Sequence, residues 1–372
     1  MSRSLQQLSE LRQQIDRIDL DLLRLANSRG SLALEIQQLK HERGLPAYAP
    51  ERESQILEQL MTANAGPLSD DAVEDIFHRL FQHSRFSLKP SNSMATEYQG
   101  ESKVVSIGSI EIGNGQAVFM GGPCAVESEE QVEQTAQWLS QLGVSILRGG
   151  AFKPRTSPHS FQGLGRDGLD MLVRAARRYG LATVSEIMDP RDLDYFIERV
   201  DILQIGARNM QNTPLLREVG RSGKPILLKR GFMSTIEELL LAAEYILLEG
   251  NPQIVVCERG IRTFETLTRN TLDLACVALV KRLRAFPVIV DLSHSLGRTD
   301  IMLPIARAAL ACGCDGLMIE VHPNPAKARS DGQQTLSFSE MADLISGLQP
   351  LLEFLKREKS PSVWNLAEES FA

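Results

Sequence analysis

Eight short apolar runs, separated by segments of helical period, limit this chain more than any other feature of its sequence. The runs are Ala117–Met120, Val144–Leu147, Ala182–Val184, Ile202–Ile205, Pro225–Leu228, Gln253–Val256, Val288–Val290 and Gly316–Ile319. Helical segments such as Glu129–Leu142, Thr235–Leu248, Asn270–Arg282 and Asp300–Ala311 lie between them. Short apolar strands alternating with helices belong to βα units and a parallel sheet. Residues with reactive side chains follow run after run around the whole set. That fits a (β/α)8 barrel better than a doubly wound sheet, because a barrel gathers its chemistry from all eight strand ends. The expected fold class is α/β, a TIM-type (β/α)8 barrel, with Val104–Ile112 as an extra hairpin at its floor.

The residues before the barrel follow another period. From Leu5 to Lys40, apolar side chains recur at Leu8, Leu11, Ile15, Ile18, Leu22, Leu25, Leu32 and Ile36 with no proline between them. This predicts one helix of roughly 50 Å at 1.5 Å per residue. Gly44 and Pro46 end it. Pro50 then sits where a first helical position falls, with Glu51 and Glu53 in the first turn, where negative charge is favoured. That second helix runs to Ala63, and a third spans Ser69–Phe86. A long amphipathic helix cannot bury its stripe alone, so an all-α bundle is expected. The stretch 89–103 (KPSNSMATEYQGESK) has the composition of a linker. The domains expected are a helical domain over 1–88, a linker over 89–103, the barrel over 104–358 and a tail over 359–372.

Bulk properties exclude several partners. A net charge of −7, with cations in short loops rather than a stripe, argues against nucleic acid. No segment approaches the roughly 20 apolar residues of a membrane span, and no leader is apparent, so a cytoplasmic protein is expected. Five cysteines without paired C-x-x-C spacing argue against a disulfide framework or a zinc ribbon.

The chemistry lies after the strands. Leu147 to Ser157 crowds Arg148, Lys153 and Arg155 around Gly149, Gly150 and Pro154. Glycines permit close backbone approach, and the arginine fork suits phosphate or carboxylate. With Arg208, Lys229 and Arg259 at later strand exits, six cations converge on one mouth. Such a cluster repels itself unless anions fill it, and a phosphate plus a carboxylate would do so. A second set, Cys124, His294, Glu320 and Asp331, brings sulfur, imidazole and two carboxylates from different strand ends. This is a divalent metal site open to several first-row ions. His159 and His322 stand open between supporting and purely structural roles.

With these residues in view, the region 104–355 resembles 3-deoxy-D-arabino-heptulosonate 7-phosphate (DAHP) synthases of type Iβ, on the strength of the run Lys153-Pro154-Arg155-Thr156-Ser157. The related 3-deoxy-D-manno-octulosonate 8-phosphate synthases share the barrel but carry another motif in that loop. One of these with a helical dimerisation domain is the alternative. The resemblance implies a divalent ion (Mn, Fe, Co or Zn) on Cys124, His294, Glu320 and Asp331. It implies phosphoenolpyruvate on Arg148, Lys153, Arg208, Lys229 and Arg259, and erythrose 4-phosphate on Arg155, Thr156 and Ser157. Lys153, Glu186 and His294 are the implied catalytic residues, Glu186 steering the water that adds to phosphoenolpyruvate.

Residues Leu5 to Leu88 resemble the all-helical chorismate mutases, which implies that chorismate or prephenate meets Arg12, Arg29, Lys40, Arg52, Glu53 and Ser84. Arg29 and Lys40 point in nearly one direction on the first helix. Arg12 lies roughly 25 Å along the axis from Arg29 and about 100° around it, so it serves the same ligand only from a second chain. A homodimer or homotetramer is expected. Ala49 and Leu88 depart from the family's usual Asp and Gln or Glu. Such a domain rearranges chorismate, senses chorismate or prephenate as a feedback effector, or serves only to dimerise.

Overall fold

A computed structural model describes residues 2–42, 50–86, 104–153, 159–283 and 286–357. The chain divides into two compact units, Met1–Ser93 and Met94–Ala372.

The first unit holds three helices, α1 (Ser2–Glu42), α2 (Pro50–Ala63) and α3 (Asp70–Phe86), where the apolar period and Pro50 place them. Helix α3 buries Val73 and Phe81, with Phe77 tilted against Phe81 at 6.3 Å. The stripe of α1 is only partly covered: Leu8, Leu11, Ile15, Ile18, Leu22, Leu25, Leu32 and Ile36 remain 44–60% exposed.

The second unit opens with an antiparallel hairpin, β1 (Val105–Ile107) and β2 (Ile110–Ile112). Eight parallel strands then close into a barrel. They are β3 (Val118–Gly122), β4 (Ile146–Arg148), β5 (Ala182–Glu186), β6 (Ile202–Ile205), β7 (Ile226–Lys229), β8 (Ile254–Glu258), β9 (Val288–Asp291) and β10 (Gly316–Glu320), with β10 returning to pair β3. Among the helices around them are α4 (Glu129–Gln141), α5 (Gly165–Arg178), α6 (Leu193–Ile197), α7 (Thr213–Arg221), α8 (Ile236–Leu248), α9 (Leu274–Leu283), α10 (Leu292–Leu296), α11 (Met302–Ala311) and α12 (Phe338–Arg357). Each apolar run of the sequence is a strand. Six strands end on a charged residue rather than before it: Arg148, Glu186, Lys229, Glu258, Asp291 and Glu320. Arg148 therefore sits on β4 and not in the loop beyond, because a ladder is made by backbone groups and continues under a charged side chain.

Two apolar layers hold the barrel. Outward-facing strand residues pack against the helices, as Leu147, Leu203, Leu228 and Val290 do against Leu172, Leu216 and Ala243 of the surrounding shell. Inward-facing Met120, Ile146, Val184, Ile202, Leu227, Val255 and Ile289 form a separate core with Val105, Ile107 and Ile112 of the hairpin. The hairpin thus closes the end where the strands begin, as expected for a floor, and leaves the opposite end for the site. At that mouth β3 and β4 approach so closely that a Cβ at Gly122 would lie 2.0 Å from the Arg148 carbonyl oxygen, and Gly122 takes φ +147. Only glycine fits both constraints.

Candidate active site

The strand ends bring Cys124, His294, Glu320 and Asp331 together. Cys124 follows β3; His294 lies on α10, a short helix that starts directly on β9 with Asp291 as its cap; Glu320 ends β10; Asp331 follows in the next loop. One potential ligand atom from each residue lies within 4.8 Å of all the others. Cys124 Sγ is 3.2 Å from Asp331 Oδ2, and His294 Nε2 is 3.3 Å from Glu320 Oε1 and 3.8 Å from Asp331 Oδ2. Asp331 holds a left-handed backbone, φ +56, the one non-glycine residue of positive φ among those described. Such strain persists where surrounding structure fixes it.

A first-row ion fits this set. The imidazole is oriented by its other nitrogen, Nδ1 at 2.8 Å from Asp291 Oδ2, which leaves Nε2 facing the cluster. Burial and the Asp291 and Glu320 carboxylates compete over the imidazole, and burial holds its pKa below the usual 6.5. Burial opposes ionisation of Glu320, but His294 and Arg148 outweigh it and lower the carboxyl. Burial likewise opposes Asp331, and Arg269 with His294 brings it down to about 2. Cys124 behaves otherwise: burial, reinforced by Glu320, pushes its thiol up to about 12. A neutral imidazole, two carboxylates and a thiol that an ion must deprotonate are suitable donors.

Each donor is tied to a cation. Arg148 Nη1 donates to Glu320 Oε1 at 2.9 Å and to the Pro123 carbonyl at 2.8 Å. Lys153 Nζ lies 3.1 Å from Cys124 Sγ and donates to its carbonyl at 3.0 Å. Lys229 pairs with Asp291, the partner of His294. Arg269 stands 3.4 Å from Asp331.

These cations are also the wall of a cavity of about 340 Å³. It is lined by Arg148, Lys153, Arg208, Lys229, Arg259 and Arg269, by Glu186, His294 and Asp331, and by Ser160, Gln204 and Phe232 among others. Among the described residues neither Arg208 nor Arg259 has a carboxylate partner, although Arg259 is only 3% exposed. Arg259 donates to the carbonyls of Gly260 and His294 at 3.3 and 3.2 Å. Both guanidiniums lie over the Phe232 ring, at 5.2 Å for Arg208 and 4.7 Å for Arg259. Burial lowers the pKa of Arg259, the opposite of what an ion pair would do. A buried cation without a counter-charge is costly, and an anion in the cavity offsets the cost.

The structure thus brings together Cys124, Arg148, Lys153, Glu186, Arg208, Lys229, Arg259, His294, Glu320 and Asp331, all named from sequence. Arg155, Thr156 and Ser157, with Ala49 and Leu88, lie outside the described residues, as do the expected linker and tail. His322 is not among the donors: its Nδ1 accepts from the Asn324 amide at 2.9 Å, and its Nε2 lies 3.6 Å from Glu127. In the helical unit Arg12 and Arg52 are exposed, while Arg29 donates to the Leu80 carbonyl at 3.5 Å and sits over Phe81 at 4.9 Å. Lys40, Glu53 and Ser84 fall on α1, α2 and α3. Sequence reasoning missed Gln204, Phe232, Arg269 and Gln334. Only Gln204 carried a signal, a polar residue inside the apolar run of β6; it is 4% exposed and donates to Glu186 Oε2 at 3.4 Å.

Comparison with known proteins agrees with this geometry. Residues 92–355 match the DAHP synthetase I family, and residues 11–86 match chorismate mutase type II. The chain is 51% identical over 268 residues to a phospho-2-dehydro-3-deoxyheptonate aldolase of Thermotoga maritima, covering 72% of this chain and 79% of that protein. A 2-dehydro-3-deoxyphosphooctonate aldolase of Francisella tularensis is 31% identical, covering 68% and 98%. The crystal structure of the Thermotoga DAHP synthase superposes with a TM-score of 0.68 at 51% identity, over 70% of this chain and 76% of that one. A truncated form from the same organism gives 0.65 at 47% identity, over 70% and 95%. The octulosonate alternative therefore stands as a distant relationship, and the chain belongs to the DAHP synthetase I family, with a chorismate mutase type II domain ahead of its barrel.

Proposed function

We propose that the barrel condenses phosphoenolpyruvate with erythrose 4-phosphate and water, releasing DAHP and inorganic phosphate. The observation that carries this reading is the buried Arg259, which among the described residues has no carboxylate within ion-pair distance, beside Arg208 on the same wall as His294 and Asp331. Arg208 and Arg259 hold the phosphate of phosphoenolpyruvate, and Arg148, Lys153 and Lys229 hold its carboxylate. That grip fixes C3 against the aldehyde carbon of the second substrate. A divalent ion (Mn, Fe, Co or Zn) on Cys124, His294, Glu320 and Asp331 would polarise the aldehyde oxygen. C3 forms the new carbon–carbon bond while Lys153 supplies a proton to that oxygen. Glu186, on the cavity wall, orients a water toward C2 and accepts its proton. The bond from C2 to the phosphate ester oxygen then breaks with its electron pair on that oxygen, the remaining hydroxyl proton at C2 passes to the departing phosphate as the carbonyl forms, and the two arginines retain that phosphate. Charge develops inside a fixed cationic wall, so stabilisation is electrostatic and needs no covalent lysine adduct. By family resemblance Arg155, Thr156 and Ser157 hold the phosphate of erythrose 4-phosphate. Loss of phosphoenolpyruvate with erythrose 4-phosphate, compared with arabinose 5-phosphate, tests the assignment: turnover only with the five-carbon aldehyde would overturn it.

The helical unit acts, in the same reading, as a feedback sensor for chorismate or prephenate, with any mutase activity weak. Arg12, Arg29, Lys40, Arg52, Glu53 and Ser84 form its site, with Arg12 coming from a second copy, so the chain works as a homodimer or homotetramer. The exposed apolar stripe of α1 supports this, since an uncovered apolar face of such length needs a partner helix. Arg29→Ala in the full chain should abolish inhibition by prephenate and chorismate at unchanged basal rate. Unchanged inhibition by both would remove the sensor role. No helix among the described residues is long and apolar enough to cross a membrane.

A further inference from the structure

Residues beyond the four donors form a continuous brace around them. Arg269 lies on the segment after β8, where Ile261 pairs with Thr271. Its amide donates to the Leu296 carbonyl at 2.9 Å, and the next residue, Asn270, donates through its amide to Ser295 O and through Nδ2 to His294 O, both at 2.8 Å. The segment is therefore fastened along α10, the helix that carries His294. The Arg269 side chain leads the other way. Its Nη1 donates to Gln334 Oε1 at 2.7 Å and stands 3.4 Å from Asp331 Oδ2. Gln334, 2% exposed, passes the contact on: its Nε2 donates to Glu320 Oε2 at 2.7 Å. That bond occupies Oε2 and leaves Oε1 as the oxygen facing His294.

We propose that Arg269 and Gln334 are positioning residues that set the spacing of three donors, His294, Glu320 and Asp331, before any ion arrives. The amide of Gln334 is suited to this: its oxygen takes the guanidinium and its nitrogen takes the carboxylate, so one planar group fixes the rotation of Glu320. A leucine there would fill similar space and fix nothing. Because Arg269 also lines the anion cavity, the brace joins the wall that grips substrate to the donors that grip the ion. The inference rests on the donor cluster being a metal site.

The test is Mn²⁺ binding by the full chain without substrates, followed by electron paramagnetic resonance of the free ion. Removing the partners that orient ligands should raise the Kd roughly 10- to 100-fold in Gln334→Leu and in Arg269→Met. Gln334→Glu, which keeps the Arg269 contact but cannot donate to Glu320, should weaken binding as Gln334→Leu does. The double variant Gln334→Leu/Arg269→Met should lose less than the product of the single losses, since both act on Glu320 through one chain of contacts. Thermal midpoints separate loss of spacing from loss of fold. If the buried Gln334 variants do not fold, Arg269→Lys, at a partly exposed site, decides the matter by the same loss of affinity. Kd values within twofold of the parent, or fully multiplicative losses, would overturn the brace. Failure of the parent chain itself to bind Mn²⁺ would instead overturn the metal reading on which it rests.

Discussion

Gly206→Ala is predicted to disable the enzyme without unfolding it. Gly206 has ordinary backbone angles, φ −70 and ψ 160, so alanine brings no backbone strain. A Cβ there would stand 1.9 Å from Glu186 Oε1 and 2.5 Å from its Cδ. Ordinary contact begins at 3.4 Å, so the carboxylate must retreat by about 1.5 Å. It can, because the obstacle is the end of a flexible side chain facing a cavity, and the cost to stability should stay under about 1 kcal/mol. Function is less forgiving. A displacement on the order of 1 Å in a group that orients a reactant costs about 10²-fold in rate, roughly 2.7 kcal/mol. The assay is kcat for phosphoenolpyruvate loss at saturating substrates, beside a thermal melt. With Glu186→Ala already in place, Gly206→Ala should cost nothing further, since the clash has gone. A kcat within threefold of the parent, or full additivity in the double variant, would show that Glu186 does no work from this position.

Three further outcomes follow from the charges. Because burial and Glu320 push the Cys124 thiol up to about 12 while burial keeps the imidazole of His294 below 6.5, ion binding near neutral pH must release one proton, and it comes from sulfur. Apparent affinity should therefore rise about tenfold per pH unit between roughly pH 7 and 9, and calorimetry in buffers of different ionisation enthalpy should count one proton; none would refute the thiolate donor. Arg259→Met should raise the KM for phosphoenolpyruvate by about 10- to 100-fold, in line with the loss of hydrogen bonds to a charged group, yet raise the thermal midpoint because a buried cation whose desolvation outweighs the pull of Asp291 and Glu258 is gone; a lower midpoint would refute that balance. Ile18→Glu with Leu22→Glu on the exposed stripe of α1 should lower the mass seen by light scattering from that of the proposed oligomer to that of one chain, and a mass equal to the parent's would show that the stripe has another role.

What could be read in the sequence was whatever repeats or clusters along the chain. The eight runs stood out because buried parallel strands are apolar on both faces, and α1 to α3 because their stripes keep a 3.6-residue period. The donors were legible because barrel topology alone says where strand ends meet. The limits were equally physical. Arg148, Glu186 and Lys229 read as loop residues because charge masks a ladder that the backbone continues. Arg269 and Gln334 gave no signal, since they sit on irregular excursions and are 65 residues apart, with nothing local to link them. Asp331 was legible as a residue type but not in its left-handed backbone, which its surroundings impose.

The proposed chemistry requires one ion and one anion to share the mouth of the barrel. Crystals grown with Mn²⁺ and phosphoenolpyruvate, measured for anomalous scattering, test that directly. The prediction is a single anomalous peak within bonding distance of Cys124, His294, Glu320 and Asp331, with the phosphate against Arg208 and Arg259. An ion bound elsewhere, or phosphoenolpyruvate outside the cavity lined by those arginines, would contradict it.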